Sequence, residues 1–129
     1  MKLLLSILLF SSASFLFAQE EAVKSSELIL GEWQLDSISA NEKTFKPKEA
    51  VYLIRINRSS IKYNTSRNEC TVKVDIAEDS ISYRGAPNCT RVAENSFGQM
   101  LRYFGAYEIV DSSDLIIRNE YGVSYLRRK

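Results

Sequence analysis

The sequence contains no histidine at all. This absence excludes histidine-based catalytic triads, cysteine–histidine pairs, HExxH zinc sites and imidazole proton shuttles. The chain also has little net charge, because 17 lysines and arginines face 16 aspartates and glutamates among 129 residues, which leaves a formal charge of +1. General nucleic-acid binders need a strong positive field, so we do not expect nucleic acid as a partner.

Motifs that usually carry catalysis or bind cofactors are missing as well. The sequence has no GxSxG nucleophile elbow, no GxGxxG run and no Walker A motif. With only two cysteines and no histidine, a four-ligand zinc site cannot form. Asp75, Glu78 and Asp79 lie at a predicted hairpin turn and are expected to be solvated rather than to bind Ca²⁺. We therefore predict a protein that is not an enzyme and that uses no metal or cofactor.

A targeting segment at the amino terminus is the clearest feature that is present. Residues 1–18 contain a lysine, continue as an apolar run without charge and end in Ala18, which is the pattern of a secretory signal peptide. We expect cleavage after Ala18, with a second candidate site after Ala13. The alternative is an uncleaved membrane anchor, although the run is short for a span of about 20 residues. The expected location is secreted or periplasmic, with no stable membrane span once the signal is removed.

Cys70 and Cys89 are the two cysteines of the chain. In an exported protein an even pair is typical of one disulfide bond. The loop that it closes, of about 20 residues, would contribute on the order of 3 kcal/mol in the chain-entropy model. The alternative is a pair of free buried thiols.

The remaining sequence consists of short β-rich runs separated by turns. The clearest run is 69–76, in which Cys70, Val72 and Val74 alternate with polar residues, a period of two that is typical of a half-buried strand. Similar runs predict strands at 31–39, 51–57, 60–64, 80–84, 107–110, 115–118 and 123–128, with a short one at 89–92. We expect a mainly β fold of about eight strands that closes into a small antiparallel barrel over residues 31–129. Residues 19–30 are predicted to be an amino-terminal tail.

One short helix is predicted between the strands. Within residues 95–104, Phe97, Met100, Leu101 and Phe104 recur at the spacing of one helix face. An asparagine and a serine at the start of this segment and a glycine just after it suit the two ends of a helix.

Two motifs at the ends of the predicted barrel resemble those of lipocalin-like (calycin) barrels. Gly31-Glu32-Trp33 opens the first strand, as in the G-x-W motif of that superfamily, and Leu126-Arg127-Arg128 closes the last. The resemblance implies that Trp33 closes one end of the barrel and that an arginine of the last strand packs across its indole. Such a contact stabilises by about 0.5–2 kcal/mol. Of the two candidates, Arg127 and Arg128, we assign this role to Arg127.

A second resemblance covers most of the chain. A Trp-Gln-Leu strand and the cysteine pair are followed by Glu94-x-x-Phe97-x-x-x-Leu101, Tyr107-x-Ile109, Leu115-Ile116-Ile117 and Gly122. In this order the segments are similar to the META/HslJ-like domain, over about residues 31–129. The resemblance implies an extracytoplasmic accessory or stress-related role, and it supplies no catalytic residues.

Aromatic residues are plentiful for a chain of this length, with seven tyrosines and one tryptophan. Side chains that point into a small barrel either line an apolar cavity or fill the interior. The residues that we assign to barrel closure or a ligand cavity are Trp33, Arg127, Tyr52, Tyr83, Tyr107 and Tyr125. A cavity would suit a small hydrophobic ligand, whereas a filled interior would favour a partner bound at the surface.

Together these features predict an exported, non-enzymatic β-barrel that acts by binding a ligand or a protein, in envelope maintenance or stress. Two alternatives stay open. Compact disulfide-linked barrels include secreted protease inhibitors that insert a free amino terminus into a metalloprotease cleft, and residues 19–30 would be that arm. In the other alternative the protein carries a small hydrophobic molecule.

Overall fold

The computed structural model describes residues 23–48 and 50–129, and its framework is an antiparallel sheet closed into a barrel. The eight barrel strands are β1 (Gly31–Ala40), β3 (Leu53–Ile56), β4 (Ser60–Asn64), β5 (Glu69–Ile76), β6 (Ser80–Tyr83), β8 (Gly105–Val110), β9 (Asp114–Asn119) and β10 (Gly122–Arg128). Two short strands, β2 (Lys43–Phe45) and β7 (Asn88–Cys89), pair with β1 and β5. A short helix, α1 (Ser25–Leu28), precedes the barrel, and a 3₁₀ turn (Gly98–Met100) follows β7.

The predicted fold class, a mainly β chain that forms a small antiparallel barrel of about eight strands, is confirmed. The predicted signal peptide at 1–18 and residues 19–22 of the predicted tail lie outside the described residues. No helix in the described part of the chain is both long and apolar enough to cross a membrane.

The sheet closes because its first and last strands pair with each other. The strands lie side by side in the order β10-β9-β8-β6-β5-β4-β3-β1, and β1 then pairs with β10 through Trp33–Arg128, Leu35–Leu126 and Ile38–Ser124. Closure removes free sheet edges, which would otherwise be open to pairing with other chains. The result is an all-β barrel compatible with a lipocalin-like fold.

Alternating side chains fill the interior of the barrel. In β5, Cys70, Val72 and Val74 are buried while the residues between them are exposed, as the sequence pattern predicts. The other strands direct buried side chains inward in the same way, among them Leu35, Ile54, Ile56, Ile61, Ile81, Leu115, Ile117 and Leu126. All of these residues belong to one contiguous core cluster. Full burial of each such side chain stabilises the fold by roughly 1.5–3 kcal/mol.

Helix α1 is held against two turns of the barrel. Glu78, in the β5–β6 turn, accepts hydrogen bonds from the backbone N–H of Ser25 at 2.9 Å and from the hydroxyl of Ser26 at 2.7 Å. The hydrogen bond from Ser26 lowers the pKa of the Glu78 carboxyl. Arg58, in the β3–β4 turn, makes a bidentate ion pair with Glu27 at 2.7 and 2.8 Å. From Ser25 onward the predicted tail is therefore part of the folded domain.

Trp33 closes the end of the barrel beneath α1, which we call the Trp end. Its side chain is fully buried, and its Nε1 donates to the carbonyl of Ile29 at 2.8 Å. The guanidinium of Arg128 lies 4.0 Å from the centre of the indole ring. The same guanidinium donates to the carbonyl of Leu30 at 3.0 Å and to that of Leu28 at 2.6 Å. Arg128 thus joins the last strand to the carboxyl end of α1.

The assignment of the indole contact to Arg127 is wrong, since the structure places Arg128 there. Arg128 is opposite Trp33 in the β1–β10 register, and it shares the inward face of β10 with Ser124 and Leu126. Arg127 points outward and donates to Asp36 at 3.0 Å. The predicted type of contact is therefore present, but it is made by the neighbouring residue.

Candidate functional site

The end of the barrel opposite Trp33, which we call the loop end, is formed by the turn 65–68, the connection 84–104 and the turn 120–121. After the 3₁₀ turn, residues 101–104 run in extended form into the mouth of the barrel, where a helix was predicted. Leu101 is extended, with φ −69° and ψ 120°, and the buried side chains of Leu101 and Tyr103 alternate with half-buried neighbours. The predicted short helical element is present as the 3₁₀ turn Gly98–Met100, but its predicted extent over 95–104 is wrong. A period of two in the second half of the segment replaces the helical period.

In the segment 101–104, which we call the plug, Tyr103 is the most deeply buried side chain. It is fully buried, and its ring meets that of Tyr63 edge to face at 5.2 Å. Its backbone N–H donates to the hydroxyl of Tyr83 at 3.0 Å. Burial raises the pKa values of all three phenols, so they are neutral at ordinary pH. Trp33 therefore fills one end of the barrel interior, and the plug with Tyr103 fills the other end.

A buried asparagine ties the connection 84–104 to the β4–β5 turn. Asn68 is 5% exposed, and all four hydrogen-bonding positions of its amide are used. The oxygen accepts from the hydroxyl of Thr90 at 2.7 Å and from the N–H of Val92 at 3.0 Å, while the nitrogen donates to the carbonyl of Val92 at 2.7 Å and to Glu94. Because buried amides are costly to leave unpaired, this network fixes the path of residues 90–94.

Glu94 anchors the far end of the same network. Its Oε1 accepts hydrogen bonds from Thr65 and Asn68. Its Oε2 is buried and has no hydrogen-bond partner among residues 23–48 and 50–129. A Cβ at position 98 would overlap this oxygen, which explains a glycine at that point in the chain. Glu94 therefore acts as a structural anchor of the loop, with its carboxylate closed off by Gly98.

The predicted disulfide is present between Cys70 and Cys89, with an S–S distance of 2.03 Å. The two residues are also directly opposite each other in the β5–β7 pairing. The bond therefore fastens the start of the connection 84–104 to the barrel wall, while Asn68 fastens its middle.

Two grooves flank this connection. The larger, which we call the disulfide groove, has a volume of about 560 Å³ and lies between the Cys70–Cys89 bond and an aromatic wall. The wall consists of Tyr83, Phe104 and Tyr121, whose rings pack edge to face at 4.8 and 6.2 Å. The guanidinium of Arg102 lies 5.3 Å from the centre of the Tyr121 ring.

The smaller groove, which we call the lysine groove, has a volume of about 350 Å³. It lies between the segment that follows β2, with Lys46 and Lys48, and the start of the 3₁₀ turn. Tyr52 and Phe97 form part of its lining, and their ring centres are 5.1 Å apart. Both grooves have volumes in the range of small-molecule sites.

The structure separates the aromatic residues that the sequence analysis grouped. Tyr52 and Tyr83 lie at the loop end, whereas Tyr107 is buried toward the Trp end, where its hydroxyl donates to the carbonyl of Ala77 at 2.5 Å. Burial raises the pKa of Tyr107 to about 12. Tyr125 is 38% exposed on the outer face of β10, so it does not point into the interior of the barrel.

Sequence reasoning missed the residues that shape the loop end, which are Lys46, Lys48, Asn68, Glu94 and Arg102. Polar residues between strands normally indicate a solvated turn, so nothing in the pattern marked Asn68 as buried, and Glu94 stood out only as the first residue of the motif that ends at Leu101. The alternation of Leu101 with Tyr103 was a usable signal for the plug. Within the described ranges, no group of three or more aspartate, glutamate or cysteine side chains is placed to hold a metal ion.

Comparison of the chain with models of protein families, with curated proteins and with solved structures gives no match.

Proposed function

We propose that the protein is an exported, non-enzymatic binding protein that holds a small ligand in the grooves of its loop end. The observation that carries this proposal is the combination of a core built from buried side chains with two grooves at one end. Trp33 and Tyr103 occupy the two ends of the core, and both are fully buried. The Cys70–Cys89 bond and Asn68 line the disulfide groove, and the lysine groove is lined by Asn95, which is hydrogen-bonded to Gly98 and Ser66.

The residues also support export. The apolar run at 1–18 has the pattern of a signal peptide, and a disulfide bond is typical of an oxidising compartment. The order of motifs that resembles the META/HslJ-like domain is the basis on which we propose an accessory role in a bacterial envelope. We therefore propose that the protein is periplasmic or secreted.

The two alternatives receive less support from the geometry. A carrier of the usual barrel type needs room inside, whereas the core side chains here form one contiguous cluster. An inhibitory amino-terminal arm needs a free segment, whereas Ser25, Ser26 and Glu27 are bonded to Glu78 and Arg58. Of the predicted arm at 19–30, the part from Ser25 onward is not free.

Native mass spectrometry of the protein purified from its exported fraction tests the proposal. We expect a bound small molecule on the natural protein. Two exposed residues line the grooves, Ala86 in the disulfide groove and Ser96 in the lysine groove, and the double variant A86W/S96W should fill both. This variant should lose the bound molecule because the indoles occupy its space.

The matched control replaces the same residue types on the outer surface of the barrel. Ala106 in β8 and Ser82 in β6 are exposed and line neither groove, so A106W/S82W should keep the bound molecule. A natural protein that is always empty would contradict the proposal. Equal retention by the two double variants would also contradict it, because the ligand would then lie elsewhere.

A further inference from the structure

We propose that the lysine groove is a binding site for a small organic anion with an aromatic or other apolar body, such as an arylalkyl carboxylate. This inference rests on the proposed function and names the ligand class of one of the two grooves. It follows from three features of the groove: the charge of its lining, its aromatic floor and its fixed wall.

The charge of the lining distinguishes this groove from three other surface grooves. Lys46 and Lys48 line it, and no carboxylate does so among the described residues. Each of the other three has at least one carboxylate in its lining. The disulfide groove has Glu94. A groove beside β9 and β10 has Asp36 and Asp114, and a groove beside β3 and β4 has Glu32 and Glu69. Two ammonium groups on one lining favour an anion.

The floor of the groove is apolar and largely aromatic. Phe45, Tyr52, Phe97 and Met100 line it, and the rings of Tyr52 and Phe97 meet at an interplanar angle of 52°. Aromatic rings gain from tilted or edge-to-face contacts with a further ring, and the methionine sulfur also packs well against one. A ligand with an aryl body would therefore cover this floor.

The wall opposite the lysines is held in place before a ligand arrives. Asn95 accepts a hydrogen bond from the N–H of Gly98 at 2.7 Å, and its amide nitrogen donates to Ser66 at 3.2 Å. The start of the 3₁₀ turn is thereby tied to the β4–β5 turn. A preformed wall reduces the conformational entropy that binding would otherwise cost.

The distribution of polar groups sets the orientation of the ligand. Thr44 and Ser96 add hydroxyl donors to the lining, close in sequence to the lysines and to Phe97 respectively. A carboxylate would accept from the ammonium groups and a hydroxyl, and the aryl body would lie against Tyr52 and Phe97. With a volume of about 350 Å³, the groove is at the small end of ligand sites, which agrees with a ligand of this size.

An NMR titration with three probes of one shape tests the inference. Phenylacetate, 2-phenylethanol and 2-phenylethylamine carry the same ring with a negative, neutral and positive tail. In ¹⁵N-labelled protein we expect phenylacetate to shift the amide signals of 44–46 and 95–100. It should bind more tightly than the alcohol, by roughly two- to twentyfold, and the amine should bind most weakly. Raising the ionic strength from about 0.05 M to about 0.5 M should remove most of the preference for the acid.

Two double variants test whether the preference for an anion depends on Lys46 and Lys48 or only on the total positive charge of the protein. K46Q/K48Q should lose the preference of the protein for phenylacetate over the alcohol. K62Q/K73Q removes two lysines that are exposed on β4 and β5 and do not line the groove, and it should keep that preference. Circular dichroism checks that both variants are folded, which we expect since all four lysines are exposed.

Three results would overturn the inference. They are equal binding of the three probes, absence of phenylacetate binding at saturating concentration, and a loss of preference in K62Q/K73Q equal to that in K46Q/K48Q. If the shifts instead map to the disulfide groove, the inference fails while the proposed function stands. If the exported protein is empty in native mass spectrometry, the proposed function itself fails.

Discussion

The variant R128A is expected to lower the free energy of unfolding by about 3 kcal/mol, because one side chain makes four contacts at the Trp end: one with the indole of Trp33 and three with backbone carbonyls, including that of Ser112 at 3.3 Å. Arg128 stacks on Trp33 and donates to two carbonyls near the end of α1. Its removal leaves the carbonyls of Leu28 and Leu30 without these donors. Gly31, with φ +125°, lies directly under the guanidinium, so a larger side chain there would also crowd it. Urea unfolding followed by circular dichroism measures the change.

The neighbouring arginine supplies a matched control. Arg127 makes an exposed ion pair with Asp36, and such pairs contribute at most about 1 kcal/mol. R127A should therefore be close to the natural protein. R128K should recover little of the loss, since an ammonium group cannot replace the planar fork of a guanidinium. Equal stability losses for R127A and R128A would show that the indole contact and the carbonyl contacts of Arg128 are not those described here.

The variant N68D is expected to lower the free energy of unfolding by about 3 kcal/mol at neutral pH. The new carboxylate cannot donate to the carbonyl of Val92, and it lies beside the carboxylate of Glu94. Two close carboxylates repel each other, so we expect the loss to shrink as the pH falls and one of them takes up a proton. Urea unfolding at several pH values measures both effects.

Asn88 provides the control for this substitution. It is exposed in β7, next to Cys89, and N88D adds the same charge to the same connection. It should change stability by less than about 0.5 kcal/mol. In amide hydrogen exchange, N68D should also lose protection in 90–94, while β5 keeps it. Unchanged protection in 90–94 would contradict the role of Asn68 as the fastening point of the loop end.

The strands were predictable because alternation is a local signal. In β5 the period of two is visible in the residues themselves, and the burial of Cys70, Val72 and Val74 follows from it. The disulfide was predictable from the compartment and the even number of cysteines. Trp33 was predictable as a closing residue from the resemblance to lipocalin-like barrels, and it is fully buried.

The choice between Arg127 and Arg128 depended on register, which the sequence shows only indirectly. The inward position of Leu126 places Arg128, two residues later, on the same face. By the same alternation, Tyr125 lies on the outer face of β10. Both corrections therefore follow from one fact, the direction in which Leu126 points, and the apolar character of Leu126 was the available clue.

The loop end was harder to predict because its contacts join residues that are far apart in the chain. Asn68 bonds to residues 22 to 26 positions away, and only the folded path of 84–104 makes these contacts. In residues 95–104 the helical spacing of apolar residues competed with the alternation of Leu101 and Tyr103. The extended form buries Leu101 and Tyr103 in the barrel mouth, and such tertiary burial often overrides the local preference for a helix.

The central claim, that the barrel interior is filled, is tested most directly by a spectrophotometric titration of the tyrosines. Burial raises the pKa values of Tyr63, Tyr83 and Tyr103, and that of Tyr107 to about 12. Since the unfolded pKa is about 10, the stability that these neutral phenols contribute is complete below pH 10 and is lost as the pH rises through the folded values. We predict that these four of the seven tyrosines stay protonated until the circular dichroism of the fold is lost, above about pH 11. Ionisation of these four tyrosines near pH 10 in a protein that is still folded would show a water-filled interior and would contradict the account.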